Sequence, residues 1–104
     1  MKVFHPKFRI PWNVFSGTRQ SQAAEMTILP GGKEGGPENR HDGDQWLFVV
    51  SGSGVAVFGK KSQALVEHSL LQIKAGEKHK IRNTGRAPLR TLNFYAPPVY
   101  KRGR

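Results

Sequence analysis

His41 and His79 are set apart from the other two histidines by their neighbours. Asn39 and His41 are two residues apart, and on an extended backbone such side chains leave the same face. If the alternation persists, Gln45 shares that face, with Leu47 and Val49 beyond it. His79 opens the segment HKIRN directly after the turn AGEK. Its face continues through Ile81 and Asn83, while Lys78, Lys80 and Arg82 take the opposite, solvated one. A glycine-containing turn followed by a histidine at a strand start sets an imidazole at a barrel mouth. A histidine taken singly is more often a plain polar residue than a ligand, but two of the four stand at strand starts on faces flanked by apolar residues, which strengthens the ligand reading. His5 and His68 have no such setting. Imidazoles and amides turned into one interior can ligate a metal ion through ring nitrogens and amide oxygens. They can equally hydrogen-bond the hydroxyls of a small molecule.

Such a constellation needs strands to carry it, and the chain supplies them. Twelve glycines and seven prolines interrupt it, and no segment sustains helical apolar spacing over three turns. Short β-branched and aromatic stretches recur instead, predicting strands near 22–29, 45–50, 53–58, 63–67, 70–74, 79–83 and 89–95. They are punctuated by PGGKEGG at 30–36, SGSG at 51–54, FGKK at 58–61, AGEK at 75–78 and NTGR at 83–86. The expected class is all-β: a sandwich, jelly roll or small barrel. Residues 1–21 are less regular and are expected to form an N-terminal arm. Residues 22–98 form the body, and residues 99–104 a basic, disordered tail ending KRGR. In QWLFVV, Trp46, Phe48 and Val50 face away from Gln45, Leu47 and Val49, and Leu92 and Phe94 stand in the same way beside Thr91 and Asn93. A strand apolar on both faces is covered on both.

Residues 36–52 and 68–83 resemble the two motifs of the cupin superfamily. In the first, Asn39-Arg40-His41 stands where the family has a His-x-His pair. Gln45 follows at the glutamate position and Gly52 at the closing glycine. In the second, Lys74-Ala75-Gly76 is followed by His79 and Asn83 with the family spacing intact. The resemblance implies a jelly-roll, double-stranded β-helix barrel with a divalent transition metal (Fe, Mn, Ni, Cu or Zn) held by His41, His79, Gln45 and Asn39. The departures are plain: Asn replaces the first histidine, Gln the carboxylate and Lys74 the proline. No ligand is then anionic, so a carboxylate would have to join for the usual two-histidine, one-carboxylate iron arrangement. Glu25, Glu38, Asp42 and Asp44 are the nearby candidates. The resemblance implies a metal-dependent oxygenase, isomerase or lyase acting on a small molecule in the barrel, or a non-catalytic sugar or small-molecule binder with a degenerate site. It also implies a homodimer.

The remaining composition limits the alternatives. At 104 residues one core is available, and without cysteines neither disulfides nor thiolate ligands exist. Seventeen Lys and Arg against seven Asp and Glu give a formal charge of +10. The basic residues are scattered in runs no longer than two and lack interleaved aromatics, so nucleic acid is not the expected partner. The longest apolar run, Trp46 to Val50, is far short of a membrane span, and the N-terminus lacks a signal peptide's apolar stretch. A cytoplasmic protein is expected.

Overall fold

The structure, a computed structural model, describes residues 1–35 and 41–100. The described residues form nine strands and no helix, so none is long and apolar enough to cross a membrane. The strands are β1 (Trp12–Gly17), β2 (Gln22–Ile28), β3 (Lys33–Gly35), β4 (Asp44–Ser51), β5 (Gly54–Phe58), β6 (Lys61–Leu65), β7 (Leu70–Ile73), β8 (Lys80–Arg82) and β9 (Leu89–Ala96). They make two antiparallel sheets, in the orders β1-β2-β9-β4-β7 and β3-β8-β5-β6. The inner faces of the two sheets enclose the core of a jelly roll, as the turn-punctuated sequence predicts.

Period-two alternation decides what enters that core. Leu47 and Val49 of β4, Met26 and Ile28 of β2, Ala56 of β5, Ile81 of β8 and Leu89 of β9 pack there, with Leu65 beside them. The same alternation turns Gln45, Thr91, Asn93 and Tyr95 inward at the other end, where the interior becomes polar. Lys78 and Arg82 are exposed and Lys80 half-buried, while His79, Ile81 and Asn83 are buried, as their alternation requires. On the outside of the larger sheet the register lines up two cross-strand rows. One is Ala23, Phe94, Trp46 and Gln72; the other is Glu25, Leu92, Phe48 and Leu70.

Two strands lie where the sequence predicts none. Residues 12–17, within the expected arm, pair with β2 as the edge strand β1, and Lys33–Gly35, inside the expected turn at 30–36, pairs with β8. Neither segment carries a long period-two pattern, and pairing with an already formed neighbour orders them. The turn at 58–61 closes the β5–β6 hairpin earlier than predicted, so β6 runs from 61 rather than 63. Gly52, at the closing position of the first motif, has φ +89°, and a Cβ there would collide with the carbonyl oxygen of Pro88. Only glycine fits that turn.

Candidate metal and ligand site

The polar end of the barrel is assembled by a clamp between the two motif regions. The turn at 74–77 closes on itself, the Glu77 amide donating to the Lys74 carbonyl (3.0 Å) and the Lys74 amide to Glu77 Oε1 (3.0 Å). Two amides of this turn then reach the approach to β4. Gly76 N–H donates to the His41 carbonyl (2.7 Å) and Ala75 N–H to Asp44 Oδ1 (2.9 Å). His41 is thereby fixed by its backbone opposite His79, which follows the turn and is 4% exposed. The imidazole centroids are 5.2 Å apart. Two rings bonded to one ion at about 2.1 Å, with nitrogens ~1.2 Å from each centroid, place their centroids about 4.7–5.4 Å apart at angles of about 90–109°. The observed separation lies within that range. The His79 Nδ1 lies 3.0 Å from the Glu77 carbonyl oxygen, to which it donates. This contact sets the tautomer with its lone pair on Nε2, the arrangement metal-ligating histidines use.

Gln45 completes the group. It is 4% exposed, and its Nε2 donates to Asn93 Oδ1 (3.0 Å), whose Nδ2 donates in turn to Thr91 Oγ1 (3.0 Å). This chain of amides occupies the nitrogen of Gln45 and leaves its buried Oε1 with no hydrogen-bond partner. A buried acceptor without a partner costs about 1–3 kcal/mol, a cost that a cation or donor bound in the cavity it shares with the two imidazoles would remove. His41, Gln45 and His79 line one cavity of about 30 Å³, room for an ion or a water and not for a sugar. The donor set of two imidazole nitrogens and one amide oxygen fits a borderline divalent ion.

Sequence reasoning and structure part at the acids. Among the described residues no group of three or more histidines and carboxylates is arranged to hold a metal. Glu25 is buried on the other side of its sheet, where it accepts from the amides of Phe8 (2.7 Å) and Lys7 (3.3 Å) and pins the N-terminal segment. Asp44 is engaged by Ala75, and Asp42 is exposed. Asn39 and Glu38 lie outside the described residues. The carboxylate that does line the cavity is Glu34 of β3, which the sequence reading placed in a turn.

Three aromatic residues missed from sequence wall the same cavity. Tyr95 and Tyr100 stand 5.5 and 5.7 Å from the His41 ring, and Trp12 lies 4.9 Å from Tyr100. The Tyr95 hydroxyl donates to that of Tyr100. Burial raises both phenols above their usual range, and the Glu34 carboxylate acts in the same direction, so both remain neutral. Burial, and then the electrostatic effect of the neighbouring His79, lower the His41 pKa, with Asp42 opposing; His41 is neutral near pH 7, as a ligand must be. Tyr95 was legible in the sequence, sharing its face with Thr91 and Asn93. Trp12 and Tyr100 were not, because both reach the site from segments without a strand pattern. His68 stacks on Phe48 at 5.8 Å on the outside of the larger sheet, away from the site.

A family model described as a cupin domain matches residues 24–95, and the chain belongs to that family. A crystal structure of a Bacillus halodurans protein superposes with a TM-score of 0.80 at 28% identity, covering 92% of this chain and 76% of that one. The uncharacterised Bacillus subtilis protein YrkC is 32% identical over 78 residues, 69% of this chain and 42% of that protein. The xanthan biosynthesis protein XanB of Xanthomonas campestris is 26% identical over 93 residues, 86% of this chain and 20% of that protein. The chain thus spans less than half the length of these two curated relatives.

Proposed function

We propose that this cupin binds a divalent transition metal through His41, His79 and the side-chain oxygen of Gln45, and acts on a small molecule brought to that ion. The observation that carries the reading is the partnerless Gln45 Oε1, buried in the same small cavity as the two imidazoles. A bound ion would supply Lewis-acid or redox chemistry at its open positions. The chain's own residues set the rest: Asn93 orients Gln45, the Glu77 carbonyl orients His79, and the neutral Tyr95 and Tyr100 hydroxyls offer hydrogen bonds near the ion without charge. Asn39 is kept as a further ligand in this proposal on the strength of its motif position alone. Metal analysis of protein purified without chelators or metal columns tests the reading, followed by titration with Mn, Fe, Ni, Cu and Zn. His41→Ala and His79→Ala abolish binding, whereas His5→Ala and His68→Ala leave it intact. No uptake at micromolar metal near neutral pH overturns it.

A second reading, a metal-free binder of saccharide-type ligands, is favoured by the amide-rich site and by the likeness to a xanthan biosynthesis protein. Calorimetric titration of metal-stripped protein with a saccharide panel separates the two: binding without metal selects this one. We also propose a homodimer through the outer face around Trp46, and a cytoplasmic location.

A further inference from the structure

We propose that residues 97–100, which follow β9, are a strap closing the His41–His79 cavity, with Tyr100 as its plug and as the residue that sets what can enter. The proposal rests on the reading of this cavity as the working site. The last ladder pair of β9 is Ala96 with Asp44, so the segment beyond it is not held by the sheet. It is held instead by one side chain. Gln22, 3% exposed at the start of β2, donates from Nε2 to the Tyr100 carbonyl and accepts at Oε1 from the amides of Tyr100 (3.0 Å) and Val99 (3.3 Å). This turns the Tyr100 ring inward against Trp12 at 4.9 Å, Tyr95 at 5.3 Å and His41 at 5.7 Å.

The consequence is a matter of size. About 30 Å³ remains beside the imidazoles, so any organic ligand reaching them must displace something. Strands β2, β4 and β9 are locked by ladders and core packing. Tyr100 is half-buried and its segment is held by the Gln22 side chain rather than by a ladder, the kind of element that opens at low cost. Gln22 is buried, polar and fully committed to the strap, which gives a polar residue on an inward face a purpose that packing does not.

Access to His41 can be read without any metal. Protein stripped with a chelator is treated with diethyl pyrocarbonate, and carbethoxylation of each histidine is timed by mass spectrometry, with exposed His5 and His68 as internal references. In the wild type His41, half-buried beneath the Tyr100 ring, reacts more slowly than both references. Tyr100→Ala and Gln22→Met raise the His41 rate about tenfold while the reference rates stay put, and Tyr100→Phe lies between. Gln22→Met breaks the strap's attachment without touching the cavity wall, so it keeps the test valid if Tyr100→Ala disturbs folding. Unchanged His41 rates in variants that keep the wild-type circular dichroism spectrum overturn the strap. A wild type that binds no metal yet shows the accelerated variants overturns the metal reading and leaves the strap standing.

Discussion

The Gln45 amide shows how a single side chain can be turned into a ligand by its neighbour. An amide offers both donor and acceptor, and the bond from Nε2 to Asn93 commits its NH₂ and leaves its oxygen as the unused acceptor of a residue lining the cavity with both imidazoles. Asn93→Leu should therefore lower metal affinity about 10–100-fold while leaving the metal-stripped protein folded, as residues that orient ligands typically do. Calorimetric metal titration checks this, and unchanged affinity would mean that Asn93 orients nothing. His41 gives a second expectation at this scale. Its pKa is lowered in the fold, so on acidification the unfolded chain takes up the proton first. Stability of the metal-free protein is complete above the ordinary histidine value of 6.5 and declines as pH falls below it toward the lower folded value. Urea denaturation between neutral and mildly acidic pH should show this loss, and His41→Gln should reduce it. The reverse sign, with stability rising as pH falls, would contradict a half-buried ring held neutral by the fold.

At the scale of elements, the site depends on two turns that hold their strands in register. Gly52 turns β4 into β5 at a φ of +89° where an added Cβ would strike the Pro88 carbonyl, so Gly52→Ala has both backbone strain and a collision to accommodate. A loss of about 2 kcal/mol or more is expected by chemical denaturation, and a neutral substitution would show that the turn relaxes freely. This glycine was visible in the sequence because its motif spacing and its turn chemistry agree. Strands β2, β4, β7, β8 and β9 were legible for the same reason: alternation, flanking glycines and length all point one way. Strands β1 and β3 were not. Their order comes from pairing with β2 and β8, which no local pattern announces. The inward faces of β4, β8 and β9 could be read residue by residue, which placed Gln45; His41 and His79, read as strand residues, instead precede β4 and β8 and line the same cavity. Glu34, Trp12 and Tyr100 escaped because they come from segments read as a turn, an arm and a tail, and only the closed barrel makes them neighbours of His41.

At the scale of the molecule, the outer face of the larger sheet sets hydrophobic association against net charge. Glu25 ties the amides of residues 7 and 8 over the β2 end of that face, while Trp46, Phe94 and Leu70 on β4, β9 and β7 stay 40%, 43% and 61% exposed. Trp46 and Phe94 are directly paired across strands, as are Phe48 and Leu92, so these side chains form one continuous apolar surface. Exposed apolar patches of this kind commonly mark association, and two-fold pairing of the same patch, as in the proposed homodimer, is the commonest way to cover one. Each protomer nevertheless carries a formal +10, and two such chains repel over distances that salt shortens, with a screening length of about 10 Å at 0.1 M. The proposed homodimer should therefore tighten as salt is raised, since screening removes the repulsion and leaves the apolar contact, whereas a dimer held by ion pairs would loosen. Sedimentation equilibrium at low and moderate salt distinguishes the two. Trp46→Glu places a charge at the centre of the patch and should yield a folded monomer. Reversing Lys78 and Arg82, exposed on the smaller sheet's side, should leave dimerisation in place and change stability by no more than about 0.5 kcal/mol. A wild type that stays monomeric at micromolar concentration in both salts, or a Trp46→Glu variant that remains a well-folded dimer, would show that this face meets no second copy.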